Sequence, residues 1–201
     1  MFSRVKGIGI FGIDSYMIEI EADVSNGLPA FDIVGLPDAA VKESRDRVRS
    51  AIKNCGFKFP IGRITVNLAP ADRKKEGSLY DLPVLLAILK ASGQLKADLG
   101  DAIVIGEVAL DGRVRSVNGV LAIAITAKQN GITDIFVPAR NATEAAVIEG
   151  LNVYGVESLT QLLEHINGVS LIPKAEKTPI VNEKFVSVPD FSEVRGQIAA
   201  K

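Results

Sequence analysis

Metal-binding and disulfide-forming side chains are almost missing from this sequence. It contains one cysteine, Cys55, and one histidine, His165, among 201 residues. One cysteine cannot form an internal disulfide, and a zinc site needs several Cys or His ligands at short spacings. The sequence therefore predicts no metal site, and its single thiol suits the reducing cytoplasm. We interpret His165, late in the last predicted helix, as a partner of the helix dipole.

Aromatic residues and long apolar runs are also scarce. Tryptophan is absent and aromatic residues make up 5% of the chain, which predicts an aliphatic core. No apolar run approaches the roughly 18 residues of a membrane-spanning helix, and the N-terminus lacks the layout of a signal peptide. With 47% hydrophobic and 23% charged residues, the composition is that of a globular protein, and we predict a cytoplasmic one without a membrane partner.

Nucleotide-binding motifs are either absent or in the wrong context. No GxxxxGK[ST] segment occurs, so these residues have no phosphate-binding loop. Gly7, Gly9 and Gly12 form a GxGxxG pattern, but a dinucleotide site needs a strand before this pattern and a helix after it. Only six residues precede it, and alternating apolar residues over Tyr16–Ile20 predict a strand after it. We interpret the glycines as turn or bulge residues and predict no cofactor for this part of the protein.

Alternating and helically spaced apolar residues are plentiful, and they predict a mixed α/β and α+β domain. The predicted strands cover residues 3–24 (two strands that turn at 12–14), 30–34, 63–68, 103–105, 132–138 and 152–154. The predicted helices cover residues 38–54, 80–89, 143–149 and 158–166, with one more between 118 and 131. The first half indicates antiparallel hairpins, and the helix–strand alternation of the second half indicates parallel strands.

A predicted hairpin over residues 106–117 organises the second half. Its Asp111-Gly112 dipeptide suits the positive backbone dihedrals of a tight turn. The return strand alternates apolar and polar residues, so we expect it to be half-buried. Asn118 can cap the helix that follows, because its side chain accepts hydrogen bonds from free amides at a helix start, and Gly131 can end that helix.

The same region carries a resemblance to a known family. Its segments Gly106-Glu107-Val108, Asp111-Gly112-Arg113-Val114, Gly119 and Ile135-Phe136-Val137-Pro138 resemble the second half of a Lon-type protease domain. The chain from residue 1 to about 170 is similar to the N-terminal (ChlI-type) domain of ComM/YifB-type, magnesium-chelatase-like AAA+ ATPases. This resemblance implies a Lon-protease-like (ribosomal S5 domain 2-like) fold, with mixed sheets and packed helices.

The resemblance also divides the chain. It implies a Lon-like domain over residues 1–168 and the start of an AAA+ ATPase domain over residues 190–201. Between them, the prolines and charged residues of 169–189 indicate a linker. The resemblance implies that ATP and Mg²⁺ bind the ATPase domain, and we expect no cofactor within these 201 residues.

Ser78 is the residue that the resemblance marks as a candidate nucleophile. In Lon-type proteases a serine at this position is activated by a lysine in the helix after the hairpin, but that position is Leu121 here. A serine hydroxyl needs a neighbouring base, and leucine cannot accept a proton. Lys128 lies about two helical turns further on, roughly 10 Å along the axis. We therefore interpret Ser78 as a cap or turn residue and predict no catalytic residue, with a Lon-like serine–lysine peptidase as the disfavoured alternative.

The function that the resemblance implies is in DNA metabolism. ComM-type proteins resemble one another in being hexameric helicases that drive DNA branch migration during natural transformation, so the expected partners are DNA and further copies of the chain. The domain described by these residues would then assist ring assembly and DNA handling without catalysing a reaction. A second alternative, a magnesium-chelatase-like ATPase subunit, follows from the family label alone.

Two clusters of basic residues are the candidate DNA contacts. The first shares one face of the predicted helix 38–54, since positions three and four apart are neighbours on a helix. The second lies in a polar connection that we expect to be exposed. With a net charge of −1, only such local clusters can attract phosphate. A solvated helix face is the alternative interpretation of the first cluster. The candidates are Lys42, Arg45, Arg49, Lys53, Arg73, Lys74 and Lys75.

Overall fold

The computed structural model describes residues 1–12 and 14–177 of the chain. The strands are β1 (Phe2–Phe11), β2 (Asp14–Ser25), β3 (Ala30–Val34), β4 (Arg63–Ala69), β5 (Ile103–Val104), β6 (Glu107–Val108), β7 (Val114–Arg115), β8 (Asp134–Pro138) and β9 (Asn152–Val156). The helices are α1 (Ala39–Asn54), α2 (Asp81–Ala91), α3 (Val120–Gln129), α4 (Ala142–Ala145) and α5 (Leu159–Ile166), with a 3₁₀ turn at Ala139–Asn141. Among these described ranges, none of the helices combines the length and apolar character that crossing a lipid bilayer requires.

Seven of the strands form one mixed sheet in the order β3-β4-β2-β1-β5-β8-β9, and β6 and β7 form the predicted hairpin. β2 runs antiparallel to β1 and β4, whereas the pairs β3–β4, β1–β5, β5–β8 and β8–β9 are parallel. β3 departs from the antiparallel first half that we predicted, because α1 connects β3 to β4 as a crossover. The predicted mixed α/β, Lon-like fold class is confirmed.

β1 is the strand that joins the two halves of the sheet, and its glycines have a packing role. Gly12, with φ +63°, lies in the turn to β2, whereas Gly7 and Gly9 lie inside the strand. A Cβ atom at Gly9 would come within 2.5 Å of the Ile18 side chain and 2.9 Å of the Tyr80 hydroxyl. The GxGxxG pattern therefore permits close packing around β1, and a strand follows it as predicted.

α2 is the apolar centre of the domain. It packs on β1 and β2, and each residue from Leu82 to Leu89 is buried. Pro83 occupies the first turn, where its missing amide leaves no helical hydrogen bond unmade. The Ser3 hydroxyl donates to the Ala87 carbonyl at 2.6 Å and so connects β1 to the middle of α2. Packing on both sides explains why α2 shows little amphipathic pattern.

α1 begins at a side-chain cap that also fixes a neighbouring loop. One carboxylate oxygen of Asp38 accepts from the Val41 amide at 2.7 Å, and the other accepts from the Gly77 amide at 3.2 Å. Asp38 thus satisfies a free amide of α1 and holds the loop that leads into α2. The buried face of α1 consists of Val41, Ser44, Val48, Ala51 and Ile52.

The cap of α3 differs from the prediction. Gly119, with φ +77°, occupies the cap position and Asn118 makes no capping hydrogen bond there, so the predicted Asn118 cap is wrong. The carboxylate of Glu144 accepts from the Leu121 amide at 2.9 Å and performs the capping from another helix. That helix, α4, ends at Ala145 rather than at the predicted residue 149, and a 3₁₀ turn precedes it.

The start of the predicted linker packs on the domain. The Ala175 amide donates to the Val153 carbonyl at 2.8 Å and Lys174 forms a bridge with Tyr154, so this segment lies along β9, and Ile172 is buried. The remainder of the predicted 169–189 linker, and the predicted ATPase start at 190–201, lie outside the described residues.

His165 has a different role from the predicted one. Its Nδ1 atom accepts from the Ile172 amide at 2.9 Å, and its ring packs edge-on against Phe136. Burial lowers the pKa of this imidazole, with Asp134 opposing the shift more weakly. A helix-dipole partner would be favoured as a cation and its pKa would rise. The Nδ1 atom accepts a hydrogen bond, which a protonated nitrogen cannot do, so the helix-dipole interpretation is wrong and His165 is an acceptor for the C-terminal segment.

Candidate functional site

Ser78 lies in the turn that leads into α2, and its hydroxyl donates to the carboxylate of Glu107. The other oxygen of Glu107 accepts from Arg115 at 3.2 Å. The Ser78 carbonyl accepts from the Asp81 amide at 3.1 Å, which confirms the turn, whereas α2 has no side-chain cap. The predicted turn role of Ser78 is thus confirmed and the alternative cap role is wrong.

The described residues bring no lysine amine to Ser78. Leu121 stands in the first turn of α3, with 40% of its surface exposed, at the position where the Lon resemblance expects a lysine. The Nζ atom of Lys128 donates to the Gly150 carbonyl at 3.3 Å, at the far end of α3. Since activation of a serine requires a base within hydrogen-bond reach, this geometry does not assemble a serine–lysine pair.

A buried ion pair lies beside Ser78. Asp81 is fully buried and accepts from Arg47 Nε at 2.6 Å and Nη2 at 3.0 Å, and also from the Val108 amide at 3.2 Å. Burial raises the pKa of the Asp81 carboxyl and the bonds from Arg47 oppose that rise, while the same bonds raise the pKa of Arg47. The pair joins α1, α2 and β6. Sequence reasoning missed this ion pair. The available signal was Asp81, a single carboxylate in the first turn of an otherwise apolar helix.

The first basic cluster forms a cationic face on α1. Lys42, Arg45, Arg49 and Lys53 are exposed, and within residues 1–12 and 14–177 none of them forms a salt bridge. Arg45 donates to the Phe31 carbonyl at 3.3 Å, and the guanidinium of Arg49 lies 5.4 Å from the centre of the Phe59 ring. These contacts orient the two arginines without neutralising them.

The second basic cluster is not the exposed set that the sequence predicts. Lys75 is fully buried, and its Nζ donates to the carbonyls of Pro70 and Arg73. Burial lowers the pKa of its amine. The expectation that Lys75 contacts DNA is therefore wrong, because its charge faces backbone carbonyls inside the fold. Lys74 is exposed but pairs with Glu76 at 2.9 Å, and exposed Arg73 stacks on Tyr16.

Backbone hydrogen bonds bring the two clusters together. The Lys75 amide donates to the Leu36 carbonyl at 3.0 Å, and the Asp38 amide donates to the Lys75 carbonyl at 2.9 Å. The loop that carries Arg73 and Lys74 is thereby fixed beside the start of α1. Exposed cations consequently extend from this loop along the helix face.

Phe31 and Phe59 form an aromatic pair beside the cationic face that sequence reasoning missed. Their ring centres are 5.8 Å apart, and both line a cleft that Arg49 and Lys53 also line. Two phenylalanines in an aromatic-poor chain, flanking a basic helix, were the available signal. Over the described part of the chain, no group of three or more His, Cys, Asp or Glu side chains is arranged to hold a metal ion.

Comparison with known proteins identifies the family. The model of the family described as subunit ChlI of Mg-chelatase matches residues 20–141. The chain is similar to competence protein ComM of Haemophilus influenzae (42% identity over 94% of this chain and 38% of that protein), to YifB of Escherichia coli (39%, over 94% and 37%) and to the uncharacterized protein Rv2897c of Mycobacterium tuberculosis (41%, over 98% and 39%).

This chain spans about two fifths of the length of these relatives. The family match covers more than half of the chain, and the matched region contains α1, α2 and the β6–β7 hairpin. The chain belongs to the magnesium-chelatase-like AAA+ family, in the group that includes ComM and YifB.

Proposed function

We propose that this chain is a non-peptidase domain of a ComM-type AAA+ ATPase, and that it contributes to ring assembly and DNA handling during ATP-driven branch migration. Four exposed cations on one face of α1, free of acidic partners among the described residues, are the observation that carries this proposal. The competence protein among the relatives is consistent with it. In the proposed assembly, ATP and Mg²⁺ bind a separate ATPase domain, and copies of the chain form a hexamer in the cytoplasm.

The cationic face is suited to the phosphates of DNA rather than to its bases. The side chains of Lys42, Arg45, Arg49 and Lys53 extend from neighbouring turns of a rigid helix, so they can follow a charged backbone. Such contacts carry position and no sequence information. They accord with a motor that moves along DNA of any sequence.

Among the residues that the structure describes, no lysine contacts Ser78, and this supports the non-peptidase part of the proposal. The hydroxyl donates to a carboxylate that Arg115 also contacts, and Leu121 offers no proton acceptor. We therefore assign the Ser78 region to the stability of the domain rather than to catalysis.

Duplex binding by the 201-residue chain tests the role of α1. If about four phosphates are neutralised, the logarithm of affinity falls with the logarithm of salt concentration with a slope of about −3 to −4, and the dissociation constant at low salt is about 10⁻⁴ to 10⁻⁵ M. Lys42→Gln together with Lys53→Gln removes two contacts. We expect this pair of changes to flatten the slope by about 2 and to weaken binding at least tenfold.

The matched control is Lys96→Gln together with Arg140→Gln, which removes two exposed cations elsewhere on the domain. Fluorescence anisotropy of a labelled duplex, measured over a salt series, gives both quantities. If the α1 variant and the control both bind like the unmodified chain, the proposal that α1 contacts DNA is wrong.

A further inference from the structure

A cleft lies at the C-terminal half of α1, where the helix faces β3 and the loop before β4. Its volume is about 470 Å³, within the range of small-molecule sites in proteins. Its lining includes Phe31, Phe59, Pro60, Ile61, Arg49 and Lys53. The lining thus combines two aromatic rings and aliphatic groups with two cations, and the described residues place no carboxylate in it.

The loop that forms one wall of the cleft is fixed from both ends. The Lys58 amide donates to the Gln94 side chain at 2.9 Å, and the Gln94 amide group donates back to the Lys58 carbonyl at 2.8 Å. At the other end, the Gly62 carbonyl accepts from the Ala30 amide at 3.2 Å. Gly62 has φ +147°, and a Cβ atom there would lie 2.5 Å from the Ser25 carbonyl oxygen. The cleft is therefore preformed.

The wall also exposes apolar surface that the fold does not use. Ile61 has 92% of its surface exposed and Leu28, just before Pro29, has 89%. The Phe31 and Phe59 rings are only partly buried and meet at 45°. Large apolar residues that stay exposed beside a preformed cleft indicate a surface for binding.

The charges at this cleft favour an anionic ligand with a flat apolar part. Arg49 lies over the Phe59 ring, which keeps its guanidinium beside the aromatic surface, and Lys53 is one helical turn further on. The carboxylate of Asp32, the residue after Phe31, pairs with Arg63 at 3.5 Å. A nucleotide in a single strand has both required features, a base that stacks and a phosphate beside it.

We propose that this cleft binds an unpaired nucleobase of single-stranded DNA, with the base against Phe31 and Phe59 and the adjacent phosphates at Arg49 and Lys53. The inference rests on the proposed DNA-handling function and adds a strand preference to it. Bases inside a duplex cannot reach aromatic side chains without unstacking, so the chain binds single strands more tightly than duplexes. Because every base has a flat face, this preference is independent of sequence.

The absence of tryptophan permits a direct test of stacking. Phe59→Trp introduces a single tryptophan into the cleft, and stacking of a base on its ring quenches its emission. We expect saturable quenching by oligothymidylate and none by inorganic polyphosphate, which supplies charge without bases. Phe11→Trp places the same fluorophore at an exposed phenylalanine outside the cleft, and its emission is expected to stay constant.

Affinity measurements complete the test. Phe59→Leu is expected to weaken oligothymidylate binding about tenfold and to leave duplex binding within about twofold. Ile61→Glu alters an exposed side chain, so the fold is preserved, and its carboxylate should also weaken single-strand binding about tenfold by repelling phosphate. Phe11→Leu serves as the control for both.

The outcomes separate this inference from the proposed function. If oligothymidylate binds without quenching Phe59→Trp and both cleft variants bind normally, DNA is held through phosphate alone and the inference fails while the proposed function stands. If neither single strands nor duplexes bind, both fail. If Phe59→Leu instead changes the sedimentation of the chain and leaves DNA affinity intact, the cleft is a contact between copies and the inference is overturned.

Discussion

Two charged side chains, Lys75 and Asp81, are fully buried among the described residues. Lys75 is compensated by two carbonyl acceptors, and Asp81 by a bidentate bond from Arg47 and one backbone amide. Burial of an ion requires such compensation, because the desolvation of an unpaired charge costs several kcal/mol or more. The two groups stand on either side of Ser78 and fix the loop that contains it.

Arg47→Met should destabilise the domain strongly, because it leaves the Asp81 carboxylate buried without its cation. We expect the free energy of unfolding to fall by about 3 kcal/mol. Urea titration followed by circular dichroism measures this change. Arg4→Met is the control, since the Arg4–Glu19 pair is exposed and worth about 0.5 kcal/mol.

The double variant Arg47→Met with Asp81→Asn tests the cause of this loss. Neutralising the carboxyl should recover part of the stability lost in Arg47→Met, since no unpaired charge then remains buried at this position. Equal stability of Arg47→Met and Arg4→Met would show that the buried pair does not stabilise the fold.

Sequence patterns predict residue environments well where the pattern is local and poorly where partners are distant. The strand alternation of Tyr16 to Ile20 and the helical spacing of residues 38–54 depend on near neighbours, and the predicted strand and helix were both confirmed. The burial of Lys75 depends on backbone carbonyls that the loop turns inward. Every residue has such a carbonyl, so the sequence does not indicate which of them point inward. The Phe31–Phe59 pair likewise forms only when a parallel crossover places β3 beside the loop before β4.

At the scale of the element, α3 shows how one helix can cap another. Gly119 precedes it with φ +77°, a backbone conformation in which a side chain is strained, and a Cβ atom there would come within 2.5 Å of the Ile10 side chain. The carboxylate of Glu144 contacts both the Leu121 amide and, at 3.3 Å, the Asn141 side chain. The cap comes from 23 residues further along the chain, which is why Asn118 was the wrong prediction.

Glu144→Ala should lower the free energy of unfolding by about 1 kcal/mol, because it removes both a capping acceptor and a negative charge near a helix start. Glu144→Gln keeps an acceptor and should recover roughly half of that loss. Thermal and urea unfolding measure both variants. Glu164→Ala, at an exposed position of α5, should change stability by less than about 0.5 kcal/mol. An equal effect of the two alanine variants would contradict this role of Glu144.

At the scale of the whole molecule, contacts with the domain continue past residue 168, where the sequence predicts its boundary. Ile172 is buried, its amide donates to His165, and Ala175 pairs with Val153. The linker prediction came from proline and charge content, which describe composition but not the contacts that a short segment makes with an adjacent strand.

A chain ending at Lys177 should therefore be more stable than a chain ending at Gly168. Burial of Ile172 alone contributes about 2 kcal/mol, and we expect at least this difference in urea unfolding. Equal stabilities would place the domain boundary at 168 after all.

The same two chains should differ in pH dependence. The folded pKa of His165 is lowered, so the unfolded chain binds its proton more readily, and stability falls as pH drops through the ordinary histidine value of about 6.5. In the chain ending at Gly168, His165 loses the hydrogen bond from the Ile172 amide and becomes more exposed to solvent. The loss of stability as the pH drops should therefore be smaller in this chain. Unfolding measured at several pH values between neutrality and mild acid checks the difference.

The central position of β1 has a consequence for synthesis. The ribosome delivers β1 before the other strands of this sheet, and β2, its antiparallel partner, follows after a short turn. On the other side, Lys6 of β1 pairs with Ile103 of β5, almost a hundred residues later. While the intervening chain is translated, the β1 edge of the growing sheet has unpaired amides and carbonyls. Such an edge can pair with other nascent chains. Chaperone demand should therefore peak before residue 103 leaves the exit tunnel and fall once β5 has paired with β1.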